Sequence, residues 1–94
     1  MTNPHEEFNV VVTAKDGLHL VPVSRIVKLA QETKSEGIVT VQGKNPANIT
    51  DIFGLMLLAI AAETPLKIQV TISEDSERFR QGFIALCEGS DGTQ

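Results

Sequence analysis

Ninety-four residues with 41% apolar and 21% charged side chains describe one globular domain, at the small end of what a single core stabilises. The net charge is −4 and the 8 basic residues form no run, which argues against a general affinity for nucleic acid or anionic membrane. A single cysteine, Cys87, excludes an internal disulfide, and the 2 histidines lie far apart in sequence, so neither a metal nor a cofactor is expected.

The N-terminal residues have no basic start and no apolar stretch, so they do not read as a signal peptide, and residues 1–6 are expected to be flexible. Phe8, Val10, Val12 and Ala14 then alternate with Asn9, Val11 and Thr13, which predicts a strand over residues 8–13 covered on one face. Lys15-Asp16-Gly17 is a turn. Over residues 20–33, Val23, Ile26, Val27 and Ala30 mark one buried helical face with Leu29 at its margin, and Ser24, Arg25, Lys28, Gln31 and Glu32 lie opposite. Gly37 closes the connection to a β-branched second strand over residues 38–42. Gly43-Lys44-Asn45-Pro46 forms a turn, and residues 47–49 suit a short third strand.

Residues 51–62 are helical by composition, with Thr50 or Asn48 as the cap. Leu66, Ile68, Val70 and Ile72 alternate strictly with Lys67, Gln69, Thr71 and Ser73, the clearest strand in the chain. Ser73-Glu74-Asp75-Ser76-Glu77 supplies cap candidates and first-turn acids for a last helix that buries Phe79, Phe83 and Leu86. Gly82 weakens that helix by about 1 kcal/mol relative to alanine. Cys87 on the same helix is expected to pack rather than react, and residues 89–94 form a polar, flexible end.

The order β-α-β-β-α-β-α predicts an α+β fold: a four-stranded antiparallel sheet with three helices on one face and the other face wet. One domain spans residues 1–94, with its core over about residues 7–88. The longest apolar run, residues 52–62, is far shorter than the roughly 20 residues a membrane-spanning helix needs, so a cytoplasmic, reducing location is the expectation.

Two places carry chemistry. In Gly17-Leu18-His19-Leu20-Val21-Pro22, a histidine stands where a helix starts, because Pro22 suits the first helical turn. A lone histidine in a loop is ordinarily a surface residue without a task. Here it faces unpaired backbone N–H groups and the positive end of a helix dipole, a setting that binds anions and would stabilise a phosphoryl group. Gly17 permits close approach of the chain, and of Leu18 and Leu20 one anchors inward while the other stays available to a partner. The second place is the middle helix, apolar nearly all round. Leu55, Leu58 and Ala59, with Ile49, make one stripe, so Ile52, Phe53, Met56 and Leu57 lie partly elsewhere. A two-layer domain covers one side of a helix only, and an exposed apolar cluster is commonly a contact surface. Loops covering the cluster, or a dimer, are the other ways to bury it.

Gly17-Leu18-His19 followed by Pro22, together with Asp51-Ile52-Phe53-Gly54-Leu55-Met56, resemble the HPr family over about residues 7–88. These are the histidine-containing phosphocarriers of the bacterial phosphoenolpyruvate-dependent sugar phosphotransferase system. The resemblance implies an HPr-like open-faced β-sandwich. It implies that His19 accepts a phosphoryl group from enzyme I, derived from phosphoenolpyruvate, and passes it to enzyme IIA-type proteins. Such a chain is a phosphohistidine carrier rather than a turnover enzyme, since no acid or base pair accompanies His19 in the motif. Phosphohistidine suits a relay because its P–N bond is labile and a neutral imidazole is nucleophilic near physiological pH. Gly17, Leu20, Val21 and Pro22 would form the phosphoryl-stabilising loop, and Leu20, Ile52, Phe53 and Met56 the apolar docking surface.

Two departures follow from the same resemblance. Val21 stands where the family has an arginine that balances the phosphoryl charge, a contact worth about 1.5–3 kcal/mol. Arg25 and Lys28 are near in sequence, but helix geometry points them away unless they bend back. Asp51 stands at the family's regulatory serine; the segment 43–49 is one residue longer than usual, so Thr50 is the alternative hydroxyl. Asp51 reads either as a helix-capping acid or as a fixed, partial imitation of a phosphorylated serine that repels the acidic surface of enzyme I. The alternative function is an HPr-like regulatory module with weakened phosphotransfer, acting on a transcriptional or metabolic regulator.

Overall fold

The structure, a computed structural model, describes residues 4–89. Its elements run β1 (His5–Val11), α1 (Leu20–Glu32), β2 (Gly37–Thr40), β3 (Ala47–Asn48), α2 (Ile52–Leu57), β4 (Pro65–Thr71) and α3 (Ser76–Cys87). The four strands form one sheet in the order β1-β4-β2-β3, every pair antiparallel. The strand with the strictest alternation, β4, lies between β1 and β2. Its register sets Phe8 opposite Ile68, Val10 opposite Leu66, and Val39 opposite Ile68. These residues pack into one cluster with the buried stripes of the helices, whereas Glu7, Asn9, Val11 and Lys67 lie on the open face. The fold is therefore the α+β open-faced sandwich, with three helices on one side of the sheet.

The stripes expected on the two long helices are buried. On α1 these are Val23, Ile26, Val27 and Ala30; on α3 they are Phe79, Phe83, Leu86 and Cys87. Phe83 meets Phe8 edge-on at 6.0 Å and Phe79 at 5.7 Å, which fixes α3 over β1. Burying such a ring stabilises the fold by about 1.5–3 kcal/mol. No described helix is long and apolar enough to cross a membrane, and no described group of acidic, histidine or cysteine residues is arranged to hold a metal ion.

The structure corrects several boundaries. β1 begins at His5, so His5 and Glu6 belong to the sheet rather than to a flexible end; residues 1–3 and 90–94 lie outside those described. β2 stops at Thr40, short of Gln42. β4 ends at Thr71, because Ser76 Oγ bonds Thr71 O and accepts from the Ser73 N–H, turning the chain into α3; Ile72 is left exposed. The largest correction is α2, which ends at Leu57 instead of residue 62. Ala59 adopts φ 51°, a left-handed conformation that stops a helix, and it is exposed rather than part of the buried stripe. Lys44 Nζ donates to Leu58 O at 2.5 Å, placing a cation at the helix C-terminus. Nor do Thr50 or Asn48 cap α2. Asp51 is the N-cap, and the Asn48 side chain instead accepts from Thr50 N and Oγ1.

Candidate functional site

The residues after the corrected end of α2 brace the histidine turn. Val12 N–H donates to Thr64 O at 3.0 Å, Glu63 N–H to Val12 O at 2.6 Å, and Leu18 N–H to Ile60 O at 2.9 Å. From the other side, Cys87 O at the end of α3 accepts from Thr13 and Ala14 N–H at 3.0 and 2.9 Å. Gly17 sits between these braces with φ +70°, and a Cβ there would lie 2.4 Å from Ile60 O. No other residue fits that turn without moving backbone. Leu18 is buried at 5% exposure, while Leu20 is 57% exposed, so the first leucine anchors the loop and the second faces outward.

His19 is the N-cap residue of α1, with extended backbone angles and no side-chain capping bond. Its carbonyl accepts the Val23 N–H at 3.0 Å, which closes the first helical turn, and its ring is left exposed. The N–H groups of Leu20 and Val21 belong to the first turn, where the helix supplies no acceptor; Pro22 has no N–H to leave unpaired. Beside the ring lies an open hollow of about 290 Å³. It is lined by His19, Val21 and Pro22 on α1, by Lys15 and Asp16 on the turn, and by Arg25. Arg25, expected to point away unless it bends back, thus borders the hollow; it stands four residues after Val21, on the same helix face. Lys28 is exposed and lines no part of the hollow.

The second cluster is α2. Leu55 is its buried residue, at 2% exposure. Phe53 is 82% exposed, Leu57 82% and Met56 36%. Ile52, expected with them, is half-buried and packs against the core. Leu57 is as exposed as Phe53, and its place beside Met56 in an apolar helix was the available signal for adding it to the docking set. Asp51 Oδ1 accepts from Gly54 N–H at 3.1 Å, so one carboxylate oxygen is committed to the cap. Thr50 is exposed, with its hydroxyl bonded to Asn48 Oδ1 at 2.7 Å.

Comparisons with known proteins agree with this architecture. A family model described as the PTS HPr component phosphorylation site matches residues 6–88. A search of curated proteins finds no match. Among solved structures, the phosphocarrier protein HPr from Bacillus anthracis is 27% identical, with a TM-score of 0.77 over 89% of this chain and 98% of that one. HPr-C-His from Thermoanaerobacter tengcongensis is 25% identical, with a TM-score of 0.75 over 95% of this chain and 98% of that one. Crh of Bacillus subtilis, described as a catabolite repression containing protein that forms a swapped dimer, is 28% identical, with a TM-score of 0.62 over 83% and 87%. With a family match across nearly the whole described chain and HPr structures among its structural neighbours, the chain belongs to the HPr family of phosphotransferase-system phosphocarriers.

Proposed function

We propose that this chain is a cytoplasmic phosphocarrier that accepts a phosphoryl group on His19 from enzyme I and passes it to enzyme IIA-type proteins. The observation that carries the reading is the exposed His19 ring at the N-cap of α1, uncommitted to capping, in a chain matched as a phosphorylation-site family. In the transfer, a ring nitrogen lone pair forms the N–P bond. The bond from phosphorus to the donor breaks and its electron pair stays with the donor. The second ring nitrogen keeps its proton. The charge that arrives with the phosphoryl group meets the first-turn N–H groups of Leu20 and Val21 and the positive end of the α1 dipole. Leu20, Phe53, Met56 and Leu57 supply exposed apolar contacts for the partners, with Ile52 supporting them from below. By the family resemblance Asp51 stands at the regulatory position, with Thr50 as the alternative hydroxyl; Asp51 caps the Gly54 N–H, and its carboxylate offers a kinase no hydroxyl.

Incubation with enzyme I and phosphoenolpyruvate, followed by intact mass, tests this. One acid-labile phosphoryl group is expected on the native chain and none on His19→Ala. An unmodified native chain, under conditions that phosphorylate another HPr, would overturn the reading.

A further inference from the structure

Val21 deprives the loop of the arginine that the family resemblance places two residues after the histidine, yet another arginine, Arg25, lines the hollow beside His19. Arg25 stands four residues after Val21 on α1, so the two side chains are neighbours on one face, with Cβ atoms about 5–6 Å apart. Cα–Cβ bonds on a helix tilt toward its N-terminus, and a long side chain covers the turn before its own Cα. For Arg25 that is the turn that carries Val21 and the His19 cap. A cation held there suits an anion bound beside His19. The short side chain of Val21 leaves Arg25 room to reach across it. A guanidinium also matches phosphoryl oxygens with two parallel N–H donors, a geometry that Lys15, which lines the same hollow, does not offer.

We propose that Arg25 is the phosphoryl-binding arginine of this chain, reaching over Val21 to the oxygens of the group carried on His19. This rests on His19 being the acceptor. Arg25 takes no part in the bond changes: the N–P bond to His19 forms and the donor–phosphorus bond breaks as above, while the guanidinium donates hydrogen bonds to the equatorial oxygens. Arg25 thus does from the second helical turn what an arginine at position 21 would do from the first.

The test uses two phosphoryl donors. With enzyme I and phosphoenolpyruvate, Arg25→Gln is expected to be phosphorylated about 10-fold more slowly or worse, Arg25→Lys to fall between, and Val21→Arg/Arg25→Gln to recover most of the rate. With phosphoramidate, which phosphorylates accessible histidines without any protein partner, phospho-His19 of Arg25→Gln is expected to show a shifted phosphorus resonance and an altered hydrolysis rate. The native chain serves as its own control: the Arg25 Nε–H resonance is expected to move on phosphorylation, a readout that needs no variant to fold. A folded Arg25→Gln with native transfer and hydrolysis rates, or a native Arg25 resonance unmoved by phosphorylation, would overturn the proposal. If enzyme I leaves the native chain unmodified, the carrier reading fails, and the phosphoramidate arm still decides the role of Arg25.

Discussion

Asp51 holds the start of α2 with one oxygen, Oδ1, on the Gly54 N–H. That bond separates two roles for the residue, because cap and charge are removed by different substitutions. Asp51→Asn keeps a side-chain acceptor and loses the charge; Asp51→Ala loses both. As a cap, Asp51→Ala is expected to cost about 1 kcal/mol and Asp51→Asn only about a few tenths. The rate of His19 phosphorylation by enzyme I is expected to stay the same in Asp51→Asn at low and high salt. Thermal unfolding and transfer rates at two ionic strengths check both statements. A rate gain in Asp51→Asn that fades with added salt would show that the carboxylate repels the partner, as a phosphorylated serine would. The same distinction between place and direction explains why Arg25 was hard to read. Its helical position was plain from periodicity, but its place in the lining of the hollow beside His19 depends on side-chain geometry, which hydropathy spacing does not encode.

At the scale of elements, α2 has one buried leucine and a mostly exposed apolar remainder, so its residues divide cleanly into packing and contact. Leu55→Ala, at 2% exposure, is expected to cost about 2–5 kcal/mol of stability. Phe53→Ala, at 82% exposure, is expected to change stability by no more than about 0.5 kcal/mol. It should weaken capture by enzyme I by about 2 kcal/mol or more, as loss of an aromatic anchor does. Urea unfolding and titration with enzyme I distinguish the two variants; a Phe53→Ala chain that loses several kcal/mol of stability would make Phe53 a core residue. The sheet and both long helices were legible because their spacing repeats over many residues: β4 alternates strictly, and the stripe Val23, Ile26, Val27, Ala30 fits one helical face. The end of α2 was not legible. Residues 59–62 are apolar and helix-compatible, yet Ile60 O is needed by the Leu18 N–H and Thr64 O by Val12 N–H. A tertiary requirement of the histidine turn overrides a local preference, and composition carries no trace of it.

For the molecule as a whole, the histidine turn depends on the end of α3, because the carbonyl of Cys87 holds Thr13 and Ala14 while its side chain lies in the core at 0% exposure. Burial pushes the Cys87 thiol up to about 12, with the Glu88 carboxylate adding to the shift, against an ordinary value of 9.0. The thiolate is thus disfavoured in the folded state and free to form in the unfolded chain. Stability from this group is fully present below about pH 9 and is lost as pH rises toward 12, because the unfolded state then releases a proton that the folded state keeps. The slope cannot exceed about 1.4 kcal/mol per pH unit. Cys87→Ala lacks the titrating group, so it is expected to be less stable than the native chain at pH 8, through the lost packing, and to close that gap as pH approaches 10.5. Other alkaline titrations are common to both chains and cancel in the comparison. Urea unfolding at intervals between pH 8 and 10.5 gives the difference directly. A gap that stays constant across that range would mean that the thiol ionises in the folded protein, and hence that water reaches the junction of α3 with the histidine turn. In that case native Cys87 should also react with a thiol reagent at pH 8.5 at a rate unrelated to global unfolding, whereas a sealed junction makes the two rates the same.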